Sequence, residues 1–114
     1  LFRKGRVMPG RQISPWLPEQ DRLHLAVLGK LAEECNELAI RATRCVIQGI
    51  DEADPESRRS NRIEMQREIA DVLACIATAE EHFRLDSMPE RFLDKRVGYR
   101  EWHQLIADQE KANG

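Results

Sequence analysis

Two pairs of carboxylates set the chemistry open to this chain. Glu34 and Glu37 stand three residues apart, and so do Glu68 and Asp71. On an α-helix this spacing puts both acids of a pair on one face, one turn apart. Each pair lies in a long stretch of helical periodicity, with a turn-rich segment between the two. Folded back antiparallel, the two helices bring four acids together. Carboxylates crowded beside an apolar seam repel one another and resist desolvation unless a cation sits among them. Hard oxygen ligands in that number suit Mg²⁺, with Mn²⁺ as the alternative, and both ions commonly bridge to substrate phosphates.

Acids on a helix are more often solvated decoration. Lys30 with Glu34, Glu37 with Arg41, and Arg67 with Asp71 all have the i,i+4 spacing of weak surface ion pairs. Three features of the set favour a site. The acids flank the apolar stripe, the same spacing recurs on two helices, and Glu64 and Glu68 are like charges at i,i+4 that call for a counter-ion.

The elements that must position these acids follow from the pattern. A chain of 114 residues holds one core. Its 33% charged and 5% aromatic content, rich in helix formers, favours an all-α fold. Residues 1–18, with Pro9, Gly10, Pro15 and Pro18, read as an extended lead-in, with Trp16 and Leu17 as its apolar anchors. Residues 19–110 read as a single all-α domain. Its first helix spans 19–48, with Pro18 and Glu19 at the start and Gly49 as the stop. The stripe of that helix is Val27, Leu28, Leu31, Cys35, Leu38, Ala42, Cys45 and Val46. His24 falls on the stripe in place of an apolar residue. Asp54-Pro55-Glu56 is a helix-start signature, for a short extra helix or for the second long one. The second long helix covers 61–84, with Met65, Ile69, Val72, Leu73, Ile76, Ala79 and Phe83 inward. A third, opened by Ser87-Met88-Pro89-Glu90, reaches about residue 110 with Lys95 among its inward positions, and residues 111–114 fray. The expected architecture is an antiparallel bundle of three long helices, assembled as a dimer or tetramer because such long stripes exceed what one chain can cover.

Several function classes lose ground on composition. A net charge of −2 gives no global attraction for nucleic acid or an anionic membrane, although Arg3, Lys4, Arg6 and Arg11 make the N-terminus locally basic. No apolar run approaches a membrane span. Three cysteines without a CxxC pair read as buried free thiols in a reducing cytoplasm. The absence of a His pair, a Cys cluster, a GxSxG and a Gly-rich phosphate loop argues against zinc chemistry, a serine hydrolase and a P-loop enzyme.

Glu33-Glu34-x-x-Glu37, followed after 30 residues by Glu68-x-x-Asp71, resembles the EExxE…ExxD signature of the MazG-like, all-α nucleoside triphosphate pyrophosphohydrolase superfamily. Lys-Leu before the first motif, Leu38 after it, and Ile-Ala-Asp-Val-Leu at the second match as well. The resemblance covers roughly residues 20–105. It implies Mg²⁺-dependent cleavage of a nucleoside triphosphate, more readily a deoxynucleotide, to monophosphate and pyrophosphate. Glu34, Glu37, Glu68 and Asp71 would hold the metal, which lowers the pKa of an attacking water. Glu33 would orient or deprotonate that water. Lys95, Arg100 and Arg96 would meet the phosphates, and His24 could reach the pocket. The pattern departs from the family near Lys95, where Val97-Gly98-Tyr99 stand in place of an expected asparagine.

The main rival is a non-enzymatic helical interaction module whose acids are surface salt bridges. A di-iron carboxylate bundle would want Glu-x-x-His, and the chain has none.

Overall fold

The structure, a computed structural model, describes residues 15–114. It is all-α: α1 is Arg22–Gln48, α2 is Asn61–Phe83 and α3 is Pro89–Asn113. Of the described residues, 15–83 form one compact unit and Arg84–Gly114 a second.

In the first unit α1 and α2 pack as an antiparallel hairpin. Arg41 and Cys45, late in α1, meet Asn61 at the start of α2. His24, early in α1, meets His82 and Phe83 at the end of α2. α1 starts three residues later than the proline signal implies, because Asp21 is the residue that caps it. Its carboxylate accepts from the His24 N–H at 2.9 Å. At the other end Gly49 takes φ +99, a conformation that glycine adopts without steric cost, and its N–H reaches the Cys45 carbonyl.

Residues 50–60 hold no helix. Asp54 folds back on the chain, its Oδ2 accepting from the Glu56 and Ser57 N–H groups at 3.1 and 3.0 Å. This local turn competes with helix initiation and wins. Ala53 and Ser60 form an isolated antiparallel bridge. α2 is started by Ser60, whose hydroxyl accepts from the Ile63 N–H at 3.2 Å.

The buried seam differs from the expected stripe. On α1 the least exposed residues are His24, Val27, Leu31, Glu34, Leu38, Arg41 and Cys45, at steps of three and four. On α2 they include Asn61, Glu64, Glu68, Val72, Cys75, Ala79 and His82. Val72 and Ala79 are the only buried apolar groups among the described residues. Much of the expected stripe faces outward: Leu28 is 43% exposed, Leu73 61% and Val46 84%. Cys35 is exposed, whereas Cys45 and Cys75 are half-buried; all three are free thiols. Trp16 is 80% exposed, so it does not anchor the lead-in; residues 1–14, with their basic groups, lie outside the described residues.

In the second unit, Pro89 occupies the first turn of α3, as its fixed φ suits. The helix runs on to Asn113, through the segment expected to fray. None of its residues is buried. Met88, Phe92, Tyr99, Trp102 and Ile106 are all exposed, and Leu93, Val97 and Leu105 add apolar surface on other faces of the helix.

Candidate metal centre

Glu34 and Glu68 are placed by the seam itself. Each occupies a position at which the three-four step brings α1 against α2, about midway along the hairpin. Glu37, one turn beyond Glu34, joins them. Oxygen atoms of Glu34, Glu37 and Glu68 all lie within 4.8 Å of one another. Three of the four acids paired by spacing are thus brought to one point. The fourth, Asp71, is exposed one turn beyond Glu68. It lines an open groove of about 580 Å³ with Lys30, Glu34 and the small side chains Ala26, Val27, Ala74, Cys75 and Thr78.

The cluster is short of protein counter-charge. Glu34 is only 12% exposed and its Oε1 lies 3.2 Å from Lys30 Nζ, while its Oε2 is buried without a partner. Glu68 Oε2 is likewise buried and unpartnered. Burial pushes the Glu68 carboxyl above its ordinary range, and the neighbouring charges of Glu37, Asp71 and Glu34 push it further. Glu37 and Asp71 form no ion pair among the described residues. The surface pairs Glu37–Arg41 and Arg67–Asp71 do not form, whereas Lys30–Glu34 does. Glu33 is exposed, its Oε1 3.5 Å from the same lysine.

Glu64 does not share this isolation. The like-charge argument for Glu64 and Glu68 fails at the first of them, because Glu64 pairs with Arg59 and, at 3.5 Å, with Arg41. Its counter-ions are arginines of the protein itself. Arg41 is the residue that sequence reasoning missed. It is buried, and it donates to Asp54 Oδ1 at 2.8 Å and Asn61 Oδ1 at 3.1 Å. Asn61, wholly enclosed, donates to Gln48 Oε1 and to the Gly49 carbonyl at 3.0 Å each. The available signal was the arginine standing on the row of Leu31, Leu38 and Cys45, at steps of three and four.

His24 stands at the opposite end of the hairpin, ten residues or about 15 Å along α1 from Glu34. Its ring meets His82 edge-on at 4.9 Å and Phe83 at 5.0 Å, and its Nδ1 lies 3.3 Å from Glu19 Oε1. The structure therefore sets it in an aromatic cluster, away from the acids. Lys95, Arg96 and Arg100 lie on α3, in the second unit, and are exposed.

Comparison with family models, with curated proteins and with solved structures found no match. The chemistry therefore rests on the donors. Three convergent carboxylates, two with a buried oxygen that no protein group satisfies, fit a hard divalent cation.

Proposed function

We propose that the chain is a MazG-like, Mg²⁺-dependent nucleoside triphosphate pyrophosphohydrolase, releasing a nucleoside monophosphate and pyrophosphate. The observation that supports this most is the meeting of Glu34, Glu37 and Glu68, from both halves of the EExxE…ExxD pattern, around buried oxygens without partners. Glu34, Glu37 and Glu68 would hold the metal, with Asp71 at the groove completing the set. When bound, Mg²⁺ supplies charge neutralisation of the triphosphate and a more acidic water. Glu33, beside Glu34 and open to solvent, takes the proton of the attacking water. The groove beyond Asp71 offers small apolar walls for the nucleoside. Lys95, Arg96 and Arg100 carry cations suited to the phosphates. Outward-facing Leu28, Leu73 and Ile76 favour a homo-oligomer, dimer or tetramer.

No helix among the described residues is long and apolar enough to cross a membrane. The same exposed apolar surface also favours the rival reading, a helical interaction module without catalysis. Product analysis decides between them: each common ribo- and deoxynucleoside triphosphate is incubated with Mg²⁺ or with EDTA. Monophosphate plus pyrophosphate, only with metal and lost in Glu37→Gln, is expected. Diphosphate plus phosphate would reject the chemistry, and no turnover would leave the interaction module.

A further inference from the structure

We propose that Lys30 is a placeholder cation: it neutralises Glu34 while the acid cluster lacks a divalent ion, and passes to the substrate's anionic phosphates when that ion binds. The inference rests on the metal reading above and concerns a residue outside the acid motif.

Lys30 lies one turn before Glu34, and its Nζ is 3.2 Å from Glu34 Oε1 and 3.5 Å from Glu33 Oε1. It is the only ammonium or guanidinium in contact with any acid of the cluster or with Glu33 among the described residues. It serves just one of Glu34's oxygens, leaving Oε2 buried without a partner. Its side chain is 59% exposed, so the ammonium is held by solvent-screened contacts on a flexible four-carbon stem. A divalent ion gathering three carboxylates draws on Glu34 far more strongly than one hydrated ammonium can.

What the displaced ammonium meets is also fixed. Lys30 lines the same groove as Glu34 and Asp71, and the other walls are Ala26, Val27, Ala74, Cys75 and Thr78, none of them cationic. Among the residues that line this groove, Lys30 is the one cation an entering anion meets. The lysine thus trades a carboxylate for a phosphate, and metal and substrate binding become coupled through it.

The proposal separates two measurements. Mn²⁺ alone is titrated into the wild-type chain and Lys30→Met, with the free ion read by electron paramagnetic resonance. Lys30→Met should bind Mn²⁺ about two- to fivefold more tightly, as loss of an exposed competing pair implies. In the presence of saturating metal it should bind a non-hydrolysable triphosphate analogue about tenfold or more weakly. Lys30→Arg should restore analogue binding. Because the side chain is exposed, helicity by circular dichroism should match the wild type. Wild-type Mn²⁺ binding with no change, or with weakening, in Lys30→Met overturns the role of Lys30 alone. Absence of Mn²⁺ binding by the wild type overturns the metal reading and this inference with it.

Discussion

Arg41 and Asp54 form a buried ion pair that ties the later part of α1 to the loop before α2. Nη1 lies 2.8 Å from Oδ1, and the two residues are 9% and 3% exposed. Removing one member of such a pair leaves the other charged and without its partner. Arg41→Ala is therefore expected to cost about 3 kcal/mol or more of unfolding free energy in a urea titration. A loss below about 1 kcal/mol would show that the pair does not hold the hairpin closed.

The stability of the metal-free chain should depend on pH in two opposite ways. The Arg41 guanidinium and the Ser57 and Glu56 N–H groups hold the Asp54 carboxyl far below its usual range, and Arg59 lowers Glu64. These contributions are present above the ordinary carboxylate range and are lost as pH falls. Glu68, raised by burial and its acidic neighbours, does the reverse. Its contribution is present below the ordinary glutamate pKa of about 4.3 and is lost as pH rises through the raised value. Thermal melts from pH 7.5 down should first hold or rise, then fall below about pH 4. In Glu68→Gln the early rise should vanish; a wild-type melt that only falls with acid would contradict the crowding at Glu68.

Mg²⁺ should raise the melting temperature at pH 7.5 and do so less at pH 5, where protons compete for the carboxylates. Glu37→Gln and Glu68→Gln should each abolish the shift. Each should also cut triphosphate turnover by more than the roughly 10- to 100-fold typical of losing an outer-shell partner. Retention of the shift in both variants would move the metal elsewhere. Glu64→Gln, at a residue already neutralised by Arg59 and Arg41, should leave the shift in place.

Self-association should be visible in solution. Sedimentation equilibrium is expected to give a dimer or tetramer, and Leu73→Glu, on the outward side of α2, should lower the mass and the melting temperature together. A monomer that withstands Leu73→Glu without loss of stability would leave the outward apolar surface without a role.

The reach of the sequence can be judged residue by residue. The lengths of α1 and α2 were legible because the three-four alternation is long and Gly49 and Ser60 bracket a polar stretch. The shared face of Glu34 and Glu37 was legible because a spacing of three is a property of the helix alone, and their meeting with Glu68 because a polar turn folds α2 back on α1. The inward face was legible in part: Val27, Leu31, Leu38 and Cys45, expected inward, are among the least exposed residues of α1. Glu34 and Arg41 fill the same row, and charged side chains there look solvated until their partners are known. Those partners, Asp54 and Asn61, lie 13 and 20 residues away across a turn, beyond any periodicity. The Asp54-Pro55-Glu56 signature misled for a related reason: Asp54 spends its acceptors on its own loop and on Arg41. Along α3 Lys95 does share one face with Phe92, Tyr99, Trp102 and Ile106, and that face is exposed along its length.

The Arg41–Asp54 pair has a mechanical consequence for the acids. Glu34 lies seven residues from Arg41, a lever arm of about 10 Å along α1. If the hairpin pivots at that pair, opening by about 5° shifts the Glu34–Glu68 separation by about 1 Å. The difference between a Mg²⁺ and a Ca²⁺ ligand distance is only a few tenths of that. The stiffness of a fulcrum that touches none of the three carboxylates would then set which ionic radius they could grip.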